Sequence, residues 1–503
     1  MIKFLTRYNF HFLLLPVFFV WHASNEYFGL VNWRYIIEYV GYYLALSIAL
    51  FVIGKLLFKN NTKAALWAFI PLTIFFFFGV FHDFLKSNTF FSIISSYSIL
   101  LPLICVIIVL AIIAIKRNKN NLVRPTAYLN ALMLFLILLE LQLSVYQFFT
   151  HEHKKNNLNY GLALTDIKVS NMPDSLKPDI FFIVFDEFAS TKSLLQYVNF
   201  DNSNLDSAFK KHNFYIAKNS KSNFNATPFS LACYLNMQYP NGDFEGKQFS
   251  PRNALKAQYT VKESVFPTYL KNNNYSFKNY GILDLPNSNS IKESHFNFNF
   301  SKIFTLETLV GRIHKDIWWN VALKINGTAA IEKKITALKE PYTNGIIENY
   351  NNTYKALQSE YATPTFTYSH MLIPHSPFCF NKNGERRTLR LTDNLDNDID
   401  SLYTDQLQYC NTLIKSLLTA TTTTPTKRPR VVIIASDHGY RNNFTLNKTR
   451  DKEFSNLCTV YFSDNKYETL YDSISPVNIF RVVSNKYFNT NLPMIKDSSI
   501  LLY

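Results

Sequence analysis

At 503 residues the chain is longer than an ordinary single domain. Its 51 Lys and Arg against 36 Asp and Glu give a net charge of +15. No basic helix or aromatic-basic motif accompanies that surplus, which argues against nucleic acid as a partner and for loop lysines facing anionic lipid head groups. A mean hydropathy of -0.04 averages two unlike halves: apolar runs rich in Phe, Leu and Ile up to about Phe149, then short apolar stretches among Asn, Lys, Asp and Ser beyond Thr150.

Five apolar segments come first: about Phe10 to Trp21, Ile37 to Leu57, Ala64 to Phe81, Ile93 to Ile115 and Thr126 to Phe149. All but the first approach or exceed the roughly 20 residues that cross a bilayer's hydrocarbon core. The first has Lys3 and Arg7 before it and Ala23-Ser24 after it, so it also fits a cleaved signal peptide, although a retained span is preferred. Basic residues in short loops stay on the cytoplasmic side. One face collects Lys3, Arg7, Lys55, Lys59, Lys63, Lys116, Arg117, Lys119 and Arg124, and the other Arg34 and Lys86. A cytoplasmic N-terminus and five crossings then export everything after residue 150. The expected organisation is an α-helical membrane domain of five transmembrane helices over 1–149, a linker over 150–175 and an extracytoplasmic domain over 176–503. Glu140 and Gln142 lie in the last span, where an ionisable group is costly unless it meets protein or water. A helix-packing contact and a lipid head-group role fit them equally.

The run Asp179-Ile-Phe-Phe-Ile-Val-Phe-Asp-Glu187 is continuous, apolar and rich in aromatic and β-branched residues, the form of a buried parallel strand. Similar runs recur at Ser276 to Leu283, Thr365 to Ser369, Arg430 to Ala435 and Leu457 to Phe462, with helical stretches such as Leu402 to Leu418 between them. The expected fold of this half is α/β with a largely parallel sheet. Ligands bind such sheets beyond the carboxyl ends of the strands. Three runs end in suitable chemistry: Asp186-Glu187, His370 followed by His375, and Ser436-Asp437-His438-Gly439. Each alone has a bland explanation as a cap, a turn or a loop; three together at strand ends do not. Asp carboxylates and His nitrogens suit Zn²⁺ or Mn²⁺, and a catalytic ion keeps one position for the reacting oxygen.

That oxygen is sought in Asn225-Ala-Thr-Pro-Phe-Ser-Leu-Ala-Cys-Tyr-Leu-Asn236. Thr227 before Pro228 is the pattern of an N-cap followed by Pro at the first helical position, a role that needs no catalysis. The same position offers a nucleophile a positive helix terminus for its alkoxide and backbone N–H groups for a phosphate. An alcohol must be activated, and an ion held by Asp186, Asp437 and His438 does so while His370 or His375 stabilises the equatorial phosphate oxygens. Of the five cysteines, Cys105 lies in an apolar run; Cys233, Cys379, Cys410 and Cys458 lack metal-type spacing and allow one or two disulfides. Thr419 to Thr426 reads as a linker, and Trp318-Trp319 as core packing in preference to a membrane interface.

Asp186 after its strand, Thr227-Pro-Phe-Ser230-Leu-Ala-Cys233, His370-Met-Leu-Ile-Pro-His375, Tyr403-Thr-Asp405 and Ser436-Asp437-His438-Gly439 follow the order seen in lipid A phosphoethanolamine transferases. The chain resembles that branch of the alkaline phosphatase/sulfatase superfamily; lipoteichoic acid synthases share its layout. The resemblance implies an alkaline-phosphatase-like domain behind five spans of a bacterial cytoplasmic (inner) membrane. It also implies a divalent ion, Zn²⁺ before Mn²⁺ or Ca²⁺, on Asp186, Thr227, Asp437 and His438, with Thr227 as nucleophile. His370 and His375 match histidines near the substrate phosphate or a second ion, and Glu187 and Arg441 are accessory. The implied reaction moves a phospholipid head-group phosphate, such as phosphoethanolamine, onto a cell-surface lipid or glycan. Hydrolysis of sulfate or phosphate esters and non-catalytic binding of anionic surface polymers are the alternatives. Departures from the pattern are Asp186 in place of the usual Glu, Asn223 in place of a Cys four residues before the nucleophile, and no His after Arg441. None of the cysteines of the polar half lies in the C/S-x-P-x-R motif of type I sulfatases.

Overall fold

The computed structural model describes residues 2–120, 122–151, 172–241, 249–290, 300–394, 399–441 and 450–502. The first elements in chain order are α1 (Ile2–Arg7), α2 (His11–Glu26), α3 (Trp33–Phe58), α4 (Asn61–Ser87), α5 (Tyr97–Arg117) and α6 (Val123–His151). Next come β1 (Asp179–Phe185), α7 (Thr191–Val198), α8 (Ser203–Lys211), β2 (Tyr215–Ile216), α9 (Thr227–Asn236), α10 (Pro251–Lys262), α11 (Val265–Asn272) and β3 (Ser276–Tyr280). The remainder are α12 (Ser301–Thr305), α13 (Leu309–Asp316), α14 (Trp318–Asn326), α15 (Thr328–Gln358), β4 (Thr365–Met371), α16 (Ile399–Thr423), β5 (Arg430–Ala435), β6 (Cys458–Phe462) and α17 (Pro476–Phe488).

The chain divides into two compact units: Met1–Lys155 with Phe298–Gly327, and Asn156–Asn297 with Thr328–Tyr503. Residues 298–327, placed by sequence in the exported domain, thus group with the apolar helices. Most of the expected 150–175 linker lies outside the described residues.

In the first unit, four helices among the described residues, α3 to α6, are long and apolar enough to cross a membrane. This is a membrane protein. The first expected span is different: α2 has 16 residues, about 24 Å of helix against a hydrocarbon core of about 30 Å. It is held by its neighbours, with Phe12, Leu15, Phe19 and Val20 buried. Glu140 of α6 makes a helix-packing contact, accepting from Asn25 at 2.7 Å and lying 2.7 Å from His22 Nδ1, whereas Gln142 is exposed. Trp318 and Trp319 are 49% and 45% exposed, so the core placement expected for them does not hold.

The second unit is built on a six-stranded sheet, among the described residues, in the order β2-β6-β5-β1-β4-β3. β5, β1, β4 and β3 run parallel, while β6 is antiparallel to both its neighbours. Every residue of β1, β4 and β5 is buried, because helices cover both faces. Phe266 of α11 and Phe480 of α17 pack on Phe366 and Phe182, and Thr353 of α15 bonds Ser369 from the other side. Two-residue β2 leaves no periodic trace in the sequence. The expected Thr-rich linker is instead the end of α16: Thr419, Thr421, Thr422 and Thr423 each donate to the carbonyl four residues back. That bond lets threonine sit inside a helix when buried Leu417, Leu418 and Ala420 hold its inner face. No disulfide forms; all five cysteines are free.

Candidate metal centre and nucleophile

The register of the three central strands builds the site. Val184 of β1 lies opposite His370 of β4 and Ala435 of β5, so the chain leaves the sheet at Asp186 and at Ser436-Asp437-His438 along one edge, beside His370. Asp186, His370, Asp437 and His438 are all fully buried. His438 Nε2 is 3.4 Å from Asp437 Oδ2 and 3.5 Å from Asp186 Oδ1, and His370 Nε2 is 3.6 Å from Asp186 Oδ2.

Those atoms fit a cation. Both oxygens of Asp186 and the Nε2 atoms of His370 and His438 are buried with no hydrogen-bond partner, an arrangement that costs several kcal/mol per group unless a ligand satisfies it. The other ring nitrogens are engaged: His438 Nδ1 lies 2.9 Å from Gly439 O and His370 Nδ1 3.0 Å from Tyr368 OH. A metal-binding imidazole is oriented this way, with its second nitrogen fixed and the first turned to the ion. Donor atoms placed about 2.1 Å from one ion in a tetrahedron stand about 3.4 Å apart, close to the spacings found. One oxygen or nitrogen from each of Asp186, Asp437 and His438 lies within 4.8 Å of the others. Burial works to raise the Asp186 carboxyl, but His375, His370 and His438 outweigh it and hold the group below the ordinary carboxylate range.

Thr227 comes to this cluster from α9. Its Oγ1 donates to Asp437 Oδ2 over 2.5 Å, while Asp437 Oδ1 accepts from Glu187 N at 3.1 Å. The capping role expected for Thr227 is not the one it plays: Ala226 is the N-cap, without a side-chain cap, and Thr227 is the first helical residue. Its hydroxyl is therefore directed to Asp437 rather than to the helix.

His375, Glu187 and Arg441 form a second group. Glu187, in the left-handed region at φ 63°, accepts from Arg441 N at 2.8 Å, and His375 Nε2 lies 3.7 Å from its carboxylate and 3.1 Å from Arg441 Nη2. Burial opposes a charge on His375, but Asp186 and Glu187 outweigh it and raise its pKa. The structure thus separates the two histidines, His370 with Asp186 and His375 with Arg441. Glu187 turns to Arg441.

Several residues support the site from behind; Tyr403 belongs to a motif already named, whereas Tyr234 and Asn456 were assigned no role from the sequence. Tyr234 donates to Asp437 O at 3.0 Å, Asn456 to Ser436 O at 2.7 Å, and Tyr403 to Glu187 O at 2.7 Å. Asn223, where the resemblance leads one to expect cysteine, donates to Tyr239 OH, Ser475 Oγ and Ser498 O, and accepts from Val477 N. Asn225 exchanges two hydrogen bonds with Leu502. Hydrogen bonds hold the Thr227 loop, which has no cysteine at position 223 to pin it. Burial pushes the thiols of Cys233 and Cys410 well up and that of Cys458 up to about 12, so these are inert, protonated groups.

The sulfatase family model matches residues 178–487, more than half of the chain. The comparison with curated proteins found no match. Among solved structures, the integral membrane protein lipooligosaccharide phosphoethanolamine transferase A from Neisseria meningitidis is 13% identical, with 99% of this chain and 96% of that one covered and a TM-score of 0.37. The C-terminal periplasmic domain of EptC from Escherichia coli in complex with Zn is 13% identical over 64% of this chain and 85% of that one, TM-score 0.37. The corresponding domain of phosphoethanolamine transferase EptC from Campylobacter jejuni is 11% identical over 64% and 92%, TM-score 0.36. All three are distant likenesses. With the family model running from the residue before β1 into α17, the chain belongs to the sulfatase family, within the alkaline phosphatase/sulfatase superfamily of enzymes.

Proposed function

We propose that this enzyme is a metal-dependent phosphoryl-group transferase of the cell envelope, in which Thr227 takes the head-group phosphate of a membrane phospholipid, such as phosphoethanolamine, and passes it to a surface lipid or glycan. The observation that carries this reading is the buried Thr227 hydroxyl, 2.5 Å from Asp437, beside the Asp186 carboxylate and two imidazole Nε2 atoms that have no hydrogen-bond partner. A divalent ion held by Asp186, Asp437 and His438, zinc by its taste for mixed oxygen and nitrogen donors, would lower the pKa of that hydroxyl and offset phosphate charge. Asp437 Oδ2 accepts the hydroxyl hydrogen and is placed to receive the proton. The side chains of His375 and Arg441 are 28% and 32% exposed, unlike the buried cluster, so they are the groups able to meet an entering phosphate and spread its charge. The bond from Thr227 Oγ1 to phosphorus forms as the lipid's ester oxygen leaves with diacylglycerol; an acceptor hydroxyl then displaces Thr227.

In this reading α2 completes five crossings with α3 to α6, the N-terminus lies in the cytoplasm of a bacterium, and the sheet-bearing unit works outside the inner membrane. Hydrolysis of phosphate or sulfate esters is the rival, favoured by the family description, and differs in water being the last acceptor. Full-length protein incubated with phosphatidylethanolamine and an envelope lipid or glycan fraction should release diacylglycerol in step with head group appearing on the acceptor. Accumulation of the free head-group phosphate in place of modified acceptor would select hydrolysis. A chelator should abolish either product, and undiminished product from Thr227→Ala would end both readings.

A further inference from the structure

Helices α12 to α14 lie far along the chain, between β3 and α15, yet they belong to the unit of apolar helices. Specific bonds fix them there. Arg312 is buried and pairs with both oxygens of Asp83, at 3.0 and 2.7 Å, and with both of Glu307, at 2.9 and 2.8 Å. Gly79 N of α4 donates to Glu307 O at 2.8 Å, and a Cβ at Gly79 would come within 2.2 Å of Glu307. Tyr43 OH donates to Phe304 O at 2.7 Å, and Tyr97 OH to Asp316 at 2.6 Å.

These contacts set a depth. Gly79 is about 12 Å from the C-terminal end of α4 and Tyr43 about 15 Å from the N-terminal end of α3, at 1.5 Å per residue. α4 has 27 residues, about 40 Å of helix; centred on a hydrocarbon core of about 30 Å, it carries Gly79 several ångströms inside the core boundary. Large apolar side chains of α13 and α14 stand exposed among polar ones: Val310 is 62%, Trp318 49%, Trp319 45% and Ile325 75% exposed. Lys315 and Lys324 are exposed on the same two helices. Tryptophan with lysine on a helix lying across a membrane boundary is a lipid-interface pattern.

We infer that α12 to α14 form an interfacial element, with Val310, Trp318, Trp319 and Ile325 set into the acyl boundary of the leaflet at that end of α4 and Lys315 and Lys324 at its phosphates. The inference rests on α3 to α6 crossing the membrane and not on the chemistry of Thr227. It is tested on full-length protein in nanodiscs of phosphatidylethanolamine and phosphatidylglycerol. Single spin labels are placed through Val310→Cys, Ile325→Cys and, as a membrane reference, Ile107→Cys on α5, in a Cys105→Ser background. The expected result is collision with oxygen several-fold above collision with a nickel chelate at all three sites. Nickel above oxygen at 310 and 325, with oxygen still above nickel at 107, would overturn the interfacial element alone; nickel above oxygen at 107 as well would overturn the membrane placement of α5 with it. Label–label broadening at 325 that vanishes on dilution with unlabelled protein would assign the face to a second copy and likewise overturn the inference.

Discussion

Thr227 stands one residue inside α9, and that offset decides what its hydroxyl does. At the N-cap the oxygen would accept from a backbone N–H of the first turn; with Ala226 in that place it donates to Asp437. The neighbouring Asp186 depends still more on what binds there, since both its oxygens lack a donor inside the protein. Asp186→Asn should lower the affinity for zinc by at least ~100-fold, beyond the cost of removing a residue that only hydrogen-bonds to a ligand, with an unchanged near-ultraviolet circular dichroism spectrum. Elemental analysis showing full metal content in that variant would count against Asp186 as a ligand. These acidic and imidazole groups were legible because each follows an apolar run buried on both faces, which leaves a polar residue at its end with few structural roles. Asn223, Asn225 and Asn456 were not: asparagine is common throughout this half, and their partners, Ser498, Leu502 and Ser436, lie up to 277 residues away.

Among the elements, the segment carrying Thr227 is tied to the end of the chain. Ile500 N donates to Asn223 O, Leu502 N to Asn225 Oδ1, Asn225 Nδ2 to Leu502 O and Ser499 Oγ to Ser222 O, and Asn225 O in turn accepts from Arg441 at 3.1 Å. At about 1 kcal/mol net per bond, this tail contributes a few kcal/mol to the placement of the loop. Deleting residues 498–503 should cut turnover by more than ~10-fold while bound metal is retained, because the described tail residues bond to the Thr227 loop and not to Asp186, Asp437 or His438. Unchanged turnover would show that the loop holds itself. The central strands were readable to within a residue or two from their unbroken apolar runs. The end of α16 was misread because threonine's preference for strands and turns ignores the buried leucines beneath it, and two-residue β2 has too few residues to show a period.

For the molecule as a whole, the sequence divided the chain once, near residue 150, whereas the structure returns residues 298–327 to the helical unit. That return could not be read beforehand, since the Arg312 to Asp83 pair joins residues 229 apart and no local pattern announces it. The excess of basic residues on one set of loops predicts an exported C-terminus. A phosphatase reporter that is active only outside the cytoplasm should work when fused there, and a cytoplasmic reporter should fail; the reverse would invert the topology. The proposed orientation, cation and covalent chemistry all meet at Thr227. Peptide mass spectrometry of the full-length protein after exposure to phosphatidylethanolamine, in the presence of metal and absence of acceptor, should find the head-group phosphate on Thr227, and none after chelation. Turnover with Thr227 unmodified throughout, and equal turnover by Thr227→Ala, would contradict the account.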